Sequence, residues 1–324
     1  MQHIILDTDP GVDDALAIAL AVNSPDLKVE AITTVNGNMG VVCCTRNLSL
    51  ILGAMANVQV PIIAKGESQP LFVSAVDASH VHGSDGLGDV TQLCNSSGNR
   101  RYPEMPLSLV TVGAVDVILE LVKQYPDRIT ILCIGPLTNI AKAIRTCPIE
   151  MRKAKGIILM GGVFEIYGNV TVSAEFNVYA DPHAAQIVFD SGIPITVVPL
   201  DVTHQVLLNA RQFEGLCVRH DGQWGRFLLD CTKVCFEFHR QHEGLDGFYL
   251  HDPVAVGYLE HPGFFDTVPA YVQVETTSGL TRGRTVADLR SSRIAELEPN
   301  AQVCVGINTG RFLDYFLDRI FASA

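Results

Sequence analysis

Asp7, Asp9, Asp13 and Asp14 place four carboxylates within eight residues, directly after the apolar run Ile4-Ile5-Leu6. Like charges at this spacing repel one another. A hard divalent cation taking oxygen ligands would relieve that repulsion, and crowded carboxylates with shifted pKa values are typical of functional sites. Helix capping offers a plainer account, because Asp is favoured at an N-cap and in the first helical turn. Capping explains Asp13 or Asp14 but not Asp7 and Asp9.

The elements around the cluster say where it stands. Ile4 to Leu6 reads as a short buried strand, and the run from Asp13 through Ala21 as a helix. Pro10-Gly11 marks the turn between them. The carboxylates therefore lie at a strand's C-terminal end and a helix's first turn, where open α/β sheets bind ligands. The alternation continues: strands over 28–35, 60–64, 129–134, 157–160 and 193–200, with helices through about Ala56, over 110–124, from 135 onward and from Pro182 to Asp190. Such alternation predicts a single α/β domain over 1–324, built on a doubly wound, mostly parallel open sheet. Residues 209–245 read as amphipathic helix near the site, with Trp224, Phe227, Phe236 and Phe238 packing or lining an entrance. Residues 268–277 and 301–307 read as peripheral strands, and 311–322 as a closing helix.

Several downstream residues could complete the chemistry. Asn38 ends the turn Asn36-Gly37-Asn38 at another strand exit. Ile134 stands at a strand exit where its main-chain carbonyl can serve as a cation ligand. Glu175 and Asn177, two apart, share one side of what reads as an extended segment. Asp181-Pro182 reads as an N-cap and first helical residue. Asp252, in His251-Asp252-Pro253, could be a cap or a further ligand for the distant cluster. The long stretch 66–107 interrupts the alternation and contains His82, a candidate for substrate contact; its first half reads as ordered near the site and its second half as a mobile surface.

Bulk properties narrow the partners. A net charge of −12 argues against a nucleic-acid or anionic-membrane surface and fits a soluble enzyme acting on a small molecule. A hydrophobic share of 48% with 18% charged residues is that of an ordinary globular chain. No basic, apolar leader is visible at Met1-Gln2-His3 and no run is long enough to span a bilayer. Nine scattered cysteines without paired zinc spacing read as free thiols in a reducing cytoplasm.

Taken together, the motifs Asp7-Thr-Asp9-Pro-Gly-Val-Asp13-Asp14, Thr33-Thr-Val-Asn-Gly-Asn38, His82-Gly-Ser-Asp-Gly-Leu-Gly88, Gly135-Pro-Leu-Thr-Asn139, Met160-Gly-Gly, Glu175-Phe-Asn177 and His251-Asp252-Pro resemble those of the inosine-uridine nucleoside hydrolase family, essentially end to end. The resemblance implies hydrolysis of the N-glycosidic bond of ribonucleosides to ribose and free base, in nucleoside catabolism and salvage. It implies one Ca²⁺ held by Asp9, Asp14, Asp252 and the carbonyl of Ile134, with Asp7 in support. It further implies that Asp13, Asn38, Asn169, Glu175 and Asn177 bind the ribose and that His82 and His251 lie near the base. It also implies a homodimer or homotetramer.

That chemistry suits the residues. A departing base leaves an oxocarbenium-like sugar, which surrounding carboxylates stabilise. Asp9 would be the general base toward a calcium-oriented water, and His251 the best-placed proton donor to the leaving base. His82 with His251 resembles the pyrimidine-preferring or broad members. Two alternatives remain: an aspartyl-nucleophile phosphohydrolase, which also opens on Asp-x-Asp, and a non-catalytic nucleoside- or calcium-binding protein. The former needs acids at a later strand exit, where this chain has Met160-Gly-Gly.

Overall fold

The computed structural model describes residues 1–55, 58–108, 110–290 and 297–322. Its first strand, β1 (Gln2–Thr8), is buried from Ile4 onward, and α1 (Val12–Asn23) follows after a three-residue turn. The alternating Ala and large aliphatic residues of α1 leave it apolar all round, and Leu16, Ile18 and Leu20 are fully buried. A helix with no polar stripe must be covered on every side. Here it lies between the sheet and a late helix, His251–Glu260.

The chain then moves outward through β2 (Leu27–Thr34), α2 (Val41–Ala54) and β3 (Ile62–Lys65). After the short α3 (Ser79–His82) and α4 (Ala114–Gln124), it returns to the other side of β1 as β4 (Ile129–Cys133). α5 (Thr138–Thr146), β5 (Gly156–Met160) and β6 (Ile195–Val198) continue in that direction. The sheet order is β3-β2-β1-β4-β5-β6, followed by strand Ala301–Ile307 and strand Phe265–Ala270. All pairs are parallel except the outermost, Phe265–Ala270 with Ala301–Ile307. The order of winding reverses between β1 and β4, and such a switch point opens a crevice beyond the strand ends. Asp7 pairs with Cys133 there, which sets Asp9 and Ile134 just past the exits.

Two apolar layers sandwich the sheet, one formed around α1 and α2 and the other around α4 and α5. The doubly wound, mostly parallel reading therefore holds, with local corrections. Residues 301–307 are not peripheral: they make a seventh strand, parallel to β6. Residues 268–277 divide between strand Phe265–Ala270 and a two-residue bridge, Gln273–Val274. Helix α4 starts at Ala114 rather than 110, and the expected end of α2 at Ala56 lies outside the described residues. The closing helix is Thr309–Arg319. Residues 209–245 break into Ala210–Arg219 and Gln223–His242, separated by a short link around Gly222.

The stretch 66–107 carries α3 and a single 3-10 turn, Val90–Gln92. Asp85 organises it by accepting from the backbone of Leu87, Asp89 and Thr91. In its second half, Arg101 and Tyr102 both bond to Asp230 of helix Gln223–His242, at 2.8 and 2.7 Å.

Candidate active site

Asp7, Asp9 and Asp14 are buried at the crevice floor. Asp7 Oδ1 accepts from Thr33 at 2.5 Å and from Asn139 Nδ2 at 2.7 Å. Asp14 does cap α1, as one reading of the sequence allows: its Oδ2 accepts from the Gly11 N–H at 2.9 Å, while Thr8 donates to Oδ1. Asp9 is held differently. The Asn38 N–H reaches its Oδ2 at 2.6 Å, and its Oδ1 has no hydrogen-bond partner among the described residues. A side chain on Gly37 would place Cβ 2.0 Å from Asp9 Oδ2, and one on Gly135 would come within 2.5 Å of Oδ1. Both turns are glycine because the carboxylate passes against their backbone.

Above this floor a pocket of about 390 Å³ opens, and Asp13, Asn38, Ile134, Glu175, Asn177 and Asp252 line its inner end. Among the described residues, oxygens of Asp13, Asp14 and Asp252 lie within 4.8 Å of one another, a group that does not include Asp9. Asn38 Nδ2 donates to the Asp9 carbonyl and to Asp14 Oδ2, leaving its Oδ1 as an acceptor. Glu175 corrects the sequence reading. It is the N-cap of a helix, Phe176–Ala180, not part of an extended segment. Its carboxylate accepts from the backbone of Asn177, Val178 and Gly162. Asn177, in the first turn, donates to the carbonyls of Ile134 and Met160. Asn169 lines the pocket and accepts from the Phe176 N–H at 3.0 Å. Asp181 caps helix Pro182–Phe189 as its sequence position implies.

Burial dominates the electrostatics. It pushes Asp7 and Glu175 up to about 7 and Asp13 and Asp14 to about 6. Asp9 and Asp252 lie well above the usual carboxylate range, first from burial and then from the neighbouring carboxylates. Asp7 Oδ2, Asp9 Oδ1 and Asp13 Oδ1 are all buried without a hydrogen bond among the described residues. Unpaired acceptors of one sign, crowded away from water, need compensating positive charge. An all-oxygen donor set of this kind fits a hard divalent cation.

The outer end of the pocket is aromatic and rich in histidine. His82 Nδ1 accepts from the Val12 N–H at 3.2 Å, which assigns the proton of the neutral ring to Nε2. Burial holds His82 down to about 4. His251 Nδ1 lies 2.8 Å from the Thr203 hydroxyl, and burial also depresses its pKa well below the ordinary value. His204 stacks on Tyr249 with ring centres 4.5 Å apart and stands 5.4 Å from the His251 ring. His80, His204, His239, Glu243 and Tyr249, which no sequence motif marks as site residues, also line this end. The only available signal was the four-residue spacing Cys235, His239, Glu243 along the helix Gln223–His242 and its C-cap, a pattern that surface helices also show. Phe238 lines the pocket. Trp224, by contrast, is core: its indole N–H donates to the Ile320 carbonyl at 2.9 Å and its ring stacks on Phe227.

The model of the family described as inosine-uridine preferring nucleoside hydrolase matches residues 4–314. The pyrimidine-specific ribonucleoside hydrolase RihA of Citrobacter koseri is 35% identical over 319 residues, covering 98% of this chain and 97% of its own. Uridine nucleosidase 1 of Arabidopsis thaliana is 37% identical over 291 residues, covering 89% and 82%. Among solved structures, the purine-preferring ribonucleoside hydrolase from Gardnerella vaginalis superposes with a TM-score of 0.89 at 34% identity, covering 99% of each chain.

Proposed function

The chain belongs to the inosine-uridine preferring nucleoside hydrolase family and is a ribonucleoside hydrolase; from that premise we propose that it releases ribose from both uridine and inosine, with Asp9 as the general base and Ca²⁺ as the resident ion. The observation that carries this reading is Asp9 Oδ1, buried beyond the exits of β1 and β4 with no hydrogen-bond partner among the described residues.

A hard divalent cation fits the donor set, and Asp9, Asp14, Asp252 and the Ile134 carbonyl would hold it, with Asp13 close to Asp14 and Asp252. When bound, the ion supplies positive charge beside the reacting water and sugar. The protein's own groups do the rest. Asp13, Asn38, Asn169, Glu175 and Asn177 present acceptors and donors to the ribose hydroxyls, converting binding into orientation. The ring of carboxylates stabilises the cationic sugar as the base departs. Asp7, held by Thr33 and Asn139, supports the β1 exit. His82 and His251 contact the base from the outer end.

The relatives named for pyrimidine and for purine substrates both cover this chain nearly completely, which supports a broad base range. A homodimer or homotetramer in the cytoplasm completes the reading, and light scattering on the purified protein checks the assembly. No described helix is long and apolar enough to cross a membrane. The phosphohydrolase alternative is set aside, since the β5 exit carries Gly161 and Gly162 in place of acids, and the Gly162 N–H is taken up by Glu175. Asp9→Ala tests the assignment: ribose release from uridine and inosine should vanish while the thermal melt stays cooperative. Wild-type turnover in that variant would sink it.

A further inference from the structure

Asn139, in the first turn of α5, is fully buried and does not line the pocket, yet it joins the exits of three neighbouring strands. Its Nδ2 donates to Asp7 Oδ1 of β1 at 2.7 Å and to the carbonyl of Thr34, the last residue of β2, at 3.1 Å. Its Oδ1 accepts from the N–H of Glu67, just past β3, at 2.9 Å. Two acceptors and one donor surround the amide, so its partners fix which way it faces. An Asp of the same shape would lack the donors, and a Leu would lack donors and acceptor alike. The fit is also close: a side chain on Gly66 would place Cβ 2.3 Å from Asn139 Oδ1 and 2.5 Å from Nδ2.

Two routes lead from this amide to Asp9. The short one runs through Asp7, two residues before Asp9 at the same strand exit, whose Oδ1 also accepts from Thr33. The longer one runs through the backbone. The Glu67 carbonyl accepts from the Asn36 N–H at 3.0 Å, and Asn36 opens the turn whose Asn38 N–H meets Asp9 Oδ2 at 2.6 Å. Asn36 and Asn38 are both buried. A close-packed interior passes a displacement on rather than absorbing it.

We propose that Asn139 is the positioning residue of the general base, setting the direction of the Asp9 carboxylate through Asp7 and through the turn 36–38. The proposal rests on the reading of Asp9 as the base and deepens it. Asn139 itself meets neither substrate nor ion. Of the sugar-facing residues only Asn38 lies on its routes. Asp13 stands on α1, and Glu175 and Asn177 open helix Phe176–Ala180, elements to which the Asn139 side chain makes no hydrogen bond among the described residues. Losing Asn139 therefore spares most of the sugar binding and strikes the chemical step.

The test is a split between kcat and KM, read on calcium-saturated protein well below its thermal midpoint. Asn139→Ala should lose on the order of 10²-fold in kcat on uridine, the scale of a misplaced catalytic group, with KM within about threefold of wild type. Asn139→Asp keeps the acceptor for the Glu67 N–H but turns a carboxylate toward Asp7, and should lose at least about tenfold. Adding Asp7→Asn exchanges donor and acceptor across that pair, and the double variant should regain about tenfold in kcat over Asn139→Asp alone. Calorimetry gives a readout apart from turnover. Asp9 is also a proposed ligand, so calcium affinity should fall about tenfold in Asn139→Ala and recover in the double variant. A lowered melt with wild-type kcat and calcium affinity would make Asn139 structural only and overturn the proposal. A loss carried by KM alone, or a double variant no faster than Asn139→Asp, also overturns it. Wild-type turnover in Asp9→Ala removes the base assignment and the proposal with it, whereas an inactive Asp9→Ala beside a fully active Asn139→Ala strikes the proposal alone.

Discussion

Asn177 Nδ2 donates to the main-chain carbonyl of Ile134 at 3.0 Å and to that of Met160 at 3.2 Å, so one side chain ties the exits of β4 and β5 together. A carbonyl oxygen has two lone pairs, and the one left on Ile134 is free to face a cation. The same residue thus links a ribose-facing position to a proposed ion ligand.

Asn177→Ala removes both donors from buried carbonyls. Leaving such groups unsatisfied costs about 1–3 kcal/mol, and the Ile134 carbonyl loses its fixed direction. Calorimetry should show weaker calcium binding together with a lower denaturation midpoint. Calcium affinity equal to wild type would separate Ile134 from the ion site.

Gly37→Ala and Gly135→Ala each drive a methyl group into Asp9, with built contacts of 2.0 and 2.5 Å. Overpacking of this kind costs about 1–3 kcal/mol, which a stable domain survives. Displacing the base by even an ångström is more serious for catalysis, on the order of 10²-fold. Both variants should therefore fold and lose most of kcat on uridine. Retained kcat would show that Asp9 need not be held where these turns put it.

The carboxylates set a pH signature. Folding raises Asp7 and Glu175 to about 7 and Asp13 and Asp14 to about 6. A raised carboxylate binds its proton more tightly in the folded state. Its stability contribution is therefore complete below the unfolded pKa and lost as pH rises through the folded value. Calcium-free protein should melt at progressively lower temperature from pH 5.5 to 8, while added calcium, which favours the ionised forms, should stabilise more at pH 8 than at pH 5.5. Scanning fluorimetry at the two pH values decides it, and an equal calcium shift at both would contradict the linkage.

Trp224→Phe probes base recognition from the negative side. The indole is 3% exposed and bonded to Ile320, remote from the pocket lining. The substitution should cost roughly 1–3 kcal/mol through the lost hydrogen bond and volume. The ratio of kcat/KM for inosine over uridine should not move. A changed ratio would bring Trp224 back to the base.

Much of the fold was legible because its signals are local. Short apolar runs separated by helical patterns with turn residues at each exit define a parallel sheet, and β1, β2, β4 and β5 stand close to their expected places. The seventh strand, Ala301–Ile307, was misread as peripheral because its burial comes from pairing with β6 and with Phe265–Ala270, partners that periodicity cannot name. Glu175 was misread for a related reason: a cap and an extended acidic residue look alike until the backbone N–H groups of Gly162 and Val178 are in place.

The sequence by itself determined which residues could do the chemistry: the carboxylates of 7–14, Asn38, Ile134 at a strand exit, Glu175, Asn177 and the His251-Asp252 pair. These sit in short motifs whose spacing is set by a strand end or a helix start, so their local geometry travels with the residues. Only the tertiary structure decided which of them meet. Asp252 approaches Asp13 and Asp14 because the helix it begins packs on α1 across the whole chain. It also decided the character of the outer pocket, where His204, His239, Glu243 and Tyr249 converge from three separate segments. Convergence of that kind depends on packing angles between elements far apart in sequence, and no local pattern encodes it.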